Sequence, residues 1–167
     1  MTISIRDAQP PEYDRIGEIT VEAYLKDGLI SLRSAYLNTL RDAADRAEQA
    51  DLIVAELDGE LVGSVTYCRP DSPYAEIAAP DEAEFRMLAV QASARGKGIG
   101  RALVQACIDR ATASGFSMLR LSSQPQMRPA HRIYERMGFQ RTPDLDWAPV
   151  PGVTLYAYAL PLIKPAG

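Results

Sequence analysis

Arg95, Gly96, Lys97, Gly98, Ile99 and Gly100 form the run of residues best suited to chemistry in this chain. Three glycines let the backbone approach a ligand closely, and the helix predicted from Arg101 to Ser114 aims its free N–H groups and the positive end of its dipole at the same spot. A phosphate is what such a turn receives, and a pyrophosphate in particular needs converging N–H donors rather than a side-chain code. The run departs from the dinucleotide fingerprint G-x-G-x-x-G, because the third glycine position is Arg101 counted from Gly96 and Leu103 counted from Gly98. It departs from the P-loop as well, since Lys97 precedes Gly98 rather than Ser or Thr. Taken alone, the glycines also fit a flexible strand-to-helix turn, and Arg95 and Lys97 fit either phosphate contacts or solvated loop cations.

The remaining reactive types are sparse. His131 is the single histidine and, flanked by Arg128 and Arg132, reads as a solvated helix side chain. Cys68 and Cys107 read as small core residues. Two cysteines make no disulfide framework, and with one histidine they cannot complete the usual four-ligand zinc site. Trp147, among Asp144, Asp146 and Pro149, suits a pocket wall or a loop anchor.

The elements that must position these residues follow from periodicity. Thr2 to Ala8 alternates as a strand and runs into Pro10-Pro11-Glu12, a helix start; Ile16, Ile19 and Ala23 then keep helical spacing. After Asp27-Gly28, a second helix is predicted from the stripe Leu32, Tyr36, Leu40. Leu52–Ala55 and Leu61–Tyr67 flank Asp58-Gly59, a hairpin signal. Asp71 to Glu82 holds Asp71, Glu76, Asp81 and Glu82 without a Lys or Arg, which predicts an acidic surface loop facing a ligand. Strand Glu84–Val90, the glycine turn, helix Arg101–Ser114 and strand Met118–Ser123 make a right-handed parallel crossover. Helix Pro129–Met137 and two strands, near Phe139 and over Val153–Leu160, follow, with Pro143–Pro151 as a loop between them. The sum is an α/β fold: a mixed, largely antiparallel sheet with a central parallel pair and helices on both faces.

Composition bounds the function. The chain has 167 residues and a formal charge of −4, with a pI near 5.1, which disfavours a nucleic-acid partner. One domain over residues 1–167 is expected at this length. No signal peptide and no membrane-spanning segment is predicted, and two cysteines suit a reducing cytoplasm.

Arg95, Gly98 and Gly100 match the pattern [Q/R]-x-x-G-x-[G/A], Met87-Leu88-Ala89-Val90 matches the strand that enters it, and Ala130-His131-Arg132-Ile133-Tyr134-Glu135-Arg136-Met137-Gly138-Phe139 matches a helix of the form A-x-x-x-Y-E-x-x-G-F. In order and spacing the chain thereby resembles the GNAT superfamily of N-acetyltransferases over Glu84 to Phe139, about a third of its length. One departure is Met127, where many members carry Asn seven residues before the tyrosine.

The resemblance implies acetyl-coenzyme A as cofactor. Its pyrophosphate would lie on the amides of Arg95, Gly96, Lys97, Gly98, Ile99, Gly100 and Arg101, and its pantetheine arm alongside Leu88, Ala89 and Val90. It implies acetyl transfer to a primary amine of a small molecule or peptide through a direct ternary complex. An amide near Leu88 or Ala89 would stabilise the oxyanion, and Tyr134 would donate a proton to the departing thiolate. Glu84 sits where some members place the general base. By residue type alone Tyr134 also suits a core aromatic and Glu84 a strand-end carboxylate paired with Arg86, while Asp81 or Glu82 offers a base through water. The acidic segment and the negative balance favour a cationic over an anionic acceptor. Homodimerisation is a family expectation, and a catalytically degenerate acyl-coenzyme A-binding regulatory module is the alternative to an enzyme.

Overall fold

In the computed structural model, which describes residues 1–163, the amino-terminal alternation forms strand β1 (Ile3–Asp7). Pro10 and Pro11 open a short 3-10 turn leading into helix α1 (Tyr13–Lys26), which buries Ile16, Ile19, Val21 and Ala23. The second helix differs from expectation: Leu32 is 80% exposed and outside any helix, and two short helices, α2 (Tyr36–Arg41) and α3 (Ala43–Gln49), stand in its place. Asp42 divides them because its carboxylate accepts the Asp45 N–H at 3.1 Å, a capping bond that competes with continuing α2. α1 crosses α2 so closely that a Cβ on Gly17 would lie 2.2 Å from the Arg41 carbonyl oxygen.

Asp58-Gly59 joins β2 (Asp51–Leu57) to β3 (Glu60–Cys68) as the hairpin signal predicts. Then come β4 (Glu82–Val90), α4 (Ile99–Ala113), β5 (Met118–Ser123), α5 (Arg128–Arg136), β6 (Gln140–Arg141), β7 (Trp147–Val150) and β8 (Val153–Pro161). β7 lies inside the segment expected to be a loop; Pro151-Gly152 is a turn dipeptide, and it folds β7 back on β8 with Val150 opposite Val153. The sheet runs β1-β2-β3-β4-β5-β8-β6 with β7 added to β8. Only β4 and β5 pair in parallel, the crossover between them being α4. One face packs Ile53, Val65, Phe85, Leu119 and Leu121 against Ile99, Leu103, Val104 and Cys107 of α4. The opposite face packs Leu52 and Val54 against Ile16 and Ala43. Cys68 and Met87 meet Val21, Leu37 and Leu40 on that same face. Burial on both faces explains why the central strands read as nearly continuous apolar runs.

The acidic segment is exposed at Asp71, Glu76 and Asp81, as a surface loop should be, but its last carboxylate is not. Glu82 is the first residue of β4, 7% exposed, and takes a two-pronged contact from Arg120, Nε to Oε1 at 2.6 Å and Nη2 to Oε2 at 3.0 Å. Asp81 accepts the Ser117 hydroxyl at 2.8 Å, and Glu76 lies 3.6 Å from Arg86. Glu82 and Glu76 thus meet cations of the fold, while Asp81 meets only a neutral hydroxyl. Burial alone would raise the Glu82 carboxyl; the hydrogen bonds from Arg120 and the Ala79 N–H outweigh it and hold it below the ordinary 4.5. A carboxyl lowered on folding stabilises the protein above its unfolded pKa, and that contribution is lost as pH falls through the folded value. Glu82→Gln should therefore cost ~3 kcal/mol near neutrality, as for breaking a buried pair, and much less at pH 3, read by urea unfolding at both pH values.

Candidate active site

β4 and β5 stay paired only from Glu82–Met118 to Phe85–Leu121. Beyond that, β5 continues with β8 through Ser122 and Ser123, while β4 continues with β3 alone. A bulge drives the parting. Ser64 pairs with Ala89 and Thr66 with Arg86, so Met87 and Leu88 together oppose Val65. Met87 takes φ +56, a left-handed conformation costly for a long side chain and typical of backbone under functional constraint. The extra residue inverts the alternation: Phe85 and then Leu88 and Val90 pack toward α4, whereas Met87 and Ala89 pack toward α1 and α2. A strict strand period would put Glu84, Arg86 and Leu88 on one face; the bulge sends Leu88 to the other. It also leaves the β5-facing edge of Leu88, Ala89 and Val90 without a partner strand.

β4 then runs into a 3-10 turn (Ala92–Ala94) and the glycine turn. Gly96 and Gly98 take φ +76 and +84, and Gly98 caps α4. Ile99 is buried and pins the helix start to the core. Six consecutive amides, Gly96 to Arg101, have no backbone acceptor among the described residues; the first amide satisfied within α4 is that of Ala102, on the Gly98 carbonyl at 3.0 Å. A Cβ on Gly96 or Gly98 would meet nothing within 4 Å, so the turn opens to space. These are the attributes of an anion cradle, and the residues fit a pyrophosphate. Lys97 is exposed beside it. Arg95 is engaged otherwise: its guanidinium grips both carboxylate oxygens of Asp27, just past α1, at 2.7 and 2.9 Å. That fork ties the end of α1 to the turn.

Tyr134 lies on α5, 3% exposed, with its ring 5.9 Å from those of Phe85, Phe139 and Tyr158. Burial pushes its phenol far above the ordinary value, so it is protonated throughout the physiological range. Glu84 is fully buried, and its Oε1 accepts the N–H groups of Glu76, Ile77 and Ala78 at 2.9, 2.9 and 3.0 Å. Three backbone donors on one oxygen make it the anchor of the loop before β4; Arg86 instead reaches Glu76 and the Tyr74 carbonyl. Burial raises the Glu84 carboxyl even though the three amides pull it down.

His131 departs from the solvated reading. It is partly buried, stacked 5.4 Å from the Tyr158 ring, with Nε2 3.0 Å from Ser123 Oγ. Burial lowers its pKa, which keeps it neutral near pH 7. Trp147 lies on β7 rather than in a loop and ties that strand to β5, donating Nε1–H to Ser122 Oγ at 2.9 Å. Cys68 and Cys107 are both buried, and burial pushes the Cys68 thiol up to about 12, as inert core cysteines require.

Where β4 and β5 part, a cavity of about 230 Å³ opens at the carboxyl ends of the two parallel strands, where ligands bind in open α/β sheets. Arg86 and Met87 line one side and Ser122, Ser123 and Met127 the other; Tyr24 and Tyr36 join from α1 and α2, and Val150 and Val153 from the β7–β8 hairpin. Sequence reading missed this lining: Arg86 was expected only as a partner of Glu84, and Met127 only as a departure from the family pattern. The available signal was an arginine in the otherwise apolar run Phe85-Arg86-Met87-Leu88 of a central strand.

Among the described residues no helix is long and apolar enough to cross a membrane, and no cluster of His, Cys, Asp and Glu is arranged to hold a metal. The chain is 32% identical over 102 residues to N-acetylaspartate synthetase of Danio rerio, covering 60% of this chain and 33% of that protein. It is 31% identical over 99 residues to L-2,4-diaminobutyric acid acetyltransferase of Nocardia farcinica, covering 59% and 48%. It thus spans a third to about half the length of these relatives. Among solved structures, yncA from Salmonella typhimurium, solved with its cofactor acetyl-CoA, superposes with a TM-score of 0.72 at 22% identity over 100% of this chain and 98% of that one. The PaiA N-acetyltransferase of Thermoplasma acidophilum, in complex with coenzyme A, superposes with a TM-score of 0.75 at 17% identity over 96% and 99%. The model of the acetyltransferase (GNAT) family matches residues 13–139, across α1, the parted strands, the glycine turn and Tyr134, and the chain belongs to that family.

Proposed function

We propose that this protein is an N-acetyltransferase that moves acetyl from acetyl-coenzyme A to a primary amine of a small molecule or peptide within one ternary complex, with residues 1–167 as one domain. The observation that carries the reading is the run of six open amides, Gly96 to Arg101, at the head of α4, beside a strand edge left free where β4 parts from β5. When bound, acetyl-coenzyme A supplies an acyl group activated as a thioester. The amides of Gly96 to Arg101 hold its pyrophosphate, and Lys97 adds charge. Leu88, Ala89 and Val90 offer their free edge to the pantetheine arm, and an amide of Leu88 or Ala89 stabilises the charge that grows on the carbonyl oxygen as the amine attacks. The acceptor occupies the cavity between β4 and β5. Tyr134 donates to the sulfur as the thiolate leaves, the proton lost by the attacking amine passes to water, and the raised pKa of Tyr134 keeps the proton on the phenol until the thiolate departs. Two relatives named for amino-acid amines support an amine acceptor. The buried, free cysteines suit a cytoplasmic setting. A thiol-release assay with acetyl-coenzyme A and a panel of amines tests the reading; cofactor binding with no turnover of any amine would favour the regulatory module instead.

Glu84 takes the role of a positioning residue in this scheme, since its Oε1 serves the loop at Glu76–Ala78. Glu84→Gln keeps an acceptor oxygen there and is expected to retain activity within a few-fold. Glu84→Ala orphans three amides and is expected to lower stability by about 2 kcal/mol or more, read by urea unfolding. A hundredfold loss of kcat in a stably folded Gln variant would instead make Glu84 the base.

A further inference from the structure

Among the described residues, Arg86 is the only charged one lining the cavity where β4 and β5 part. The remaining lining is largely apolar or hydroxylic: Leu29, Ile30, Met87 and Leu155 on one hand, Ser34 and Ser122 on the other. The Arg86 side chain is 15% exposed, so its charge is largely removed from water. A guanidinium carries five N–H donors, and the protein takes up two of its nitrogens, Nη2 on the Tyr36 hydroxyl at 3.0 Å and Nη1 on the Tyr74 carbonyl at 3.3 Å. Glu76, 3.6 Å away and 38% exposed, offsets part of the charge from the solvent side. Glu84, on the same strand, has its Oε1 committed to three loop amides. Behind the tyrosines lies a second cation: Arg46 is fully buried, with Nη1 on the carbonyls of Thr39 and Leu40 and with Nε and Nη2 unpartnered. The charge that the lining itself presents to the cavity is therefore the guanidinium of Arg86, and no described acidic residue lines it to meet a cationic acceptor.

We propose that the acceptor is an amine carrying a carboxylate next to an apolar body, an amino acid in form, and that Arg86 determines this specificity by pairing with the carboxylate. The proposal rests on the acetyltransferase reading above and reverses the preference that net charge suggested. The fork of the guanidinium suits a carboxylate through parallel N–H bonds, and in a site this dry one charge-assisted pair is worth about tenfold to a hundredfold in recognition. The apolar side walls accept the acceptor's side chain. The cavity, about 230 Å³, accommodates a small acceptor of this form.

The test uses matched amines on the 167-residue chain: L-leucine and L-methionine, their amides, and isoamylamine, which is leucine without its carboxylate. kcat/KM is measured with saturating acetyl-coenzyme A, and binding of L-leucine and of isoamylamine to the coenzyme A-loaded protein is measured by calorimetry. The expected result is that at least one amino acid exceeds its amide tenfold or more. Arg86→Gln should bring that ratio within threefold while leaving the coenzyme A affinity within threefold of wild type. Arg86→Lys, which keeps the charge but not the fork, should retain a preference for the amino acid. Equal losses for acid, amide and amine in Arg86→Gln would mark a structural residue that only ties α2 to the loop, and would overturn the inference. So would a wild type that binds coenzyme A yet treats acid, amide and amine alike, which leaves the acetyltransferase reading standing. A protein that neither binds acetyl-coenzyme A nor releases thiol fails at that underlying reading, and this inference falls with it.

Discussion

Tyr134→Phe is expected to lower kcat by about 10²-fold while leaving the affinity for coenzyme A within a factor of two. The ring is held by Phe85, Phe139 and Tyr158 in contacts that do not involve the hydroxyl, so phenylalanine preserves the packing and removes one proton donor. No described residue hydrogen-bonds that hydroxyl, so its removal orphans no protein group and the fold should hold. Positioned acids and bases contribute roughly 10² to 10⁴, and the lower end is expected because a thiolate is a tolerable leaving group unprotonated. The pH profile sharpens the test. Because burial raises the phenol well above its ordinary value, no alkaline limb from Tyr134 should appear in kcat up to pH 9 in the wild type. A phenylalanine variant that turns over a verified acceptor at the wild-type rate, with chemistry limiting, would reduce Tyr134 to a core aromatic.

Gly98→Val is expected to abolish the thermal stabilisation that acetyl-coenzyme A confers. A ligand bound only by the folded protein at a hundred times its Kd adds about 2.7 kcal/mol, several degrees in Tm for a chain of this size. Gly98 stands at φ +84 directly before α4, where a β-branched side chain is strained and would project into the space over the open amides. The strain itself should cost about 1–2 kcal/mol, so the variant starts from a lower Tm, and only the ligand-induced shift is diagnostic. Gly98→Ala separates the two effects, sharing most of the backbone strain with less bulk. Retention of the full shift in a folded valine variant would place the cofactor elsewhere.

The same turn shows how far a linear reading reaches. Arg95-Gly96-Lys97-Gly98-Ile99-Gly100 is local: glycine type, helix start and free amides follow from adjacent residues, so the cradle is legible in the sequence itself. The Asp58-Gly59 hairpin and the parallel crossover around α4 are legible for the same reason, short-range turn chemistry and periodicity. Arg95, read as a phosphate ligand or a solvated cation, instead grips Asp27, sixty-eight residues earlier, a contact that exists only once α1 lies across the sheet.

Charge was where sequence misled most, because a carboxylate's partner is chosen by topology. Asp71 to Glu82 looked like an acidic face, yet Glu82 meets Arg120 because β4 and β5 run parallel in that register, and Glu84 meets three amides because the loop folds back over β4. No spacing along the chain encodes either contact. The split of α2 from α3 coincides with one capping bond of Asp42, a device worth about 1 kcal/mol that no hydrophobic stripe announces. The bulge at Met87 mattered more. A period-two reading has no means of placing an extra residue, and that residue sends Leu88 and Arg86 to opposite faces. The chain's own residues thus determined the family, the fold class, the cradle and the tyrosine, because those are local patterns in fixed order. Only the tertiary structure decided that Arg86 lines the cavity where β4 and β5 part, because its place depends on a strand register and on where those strands separate.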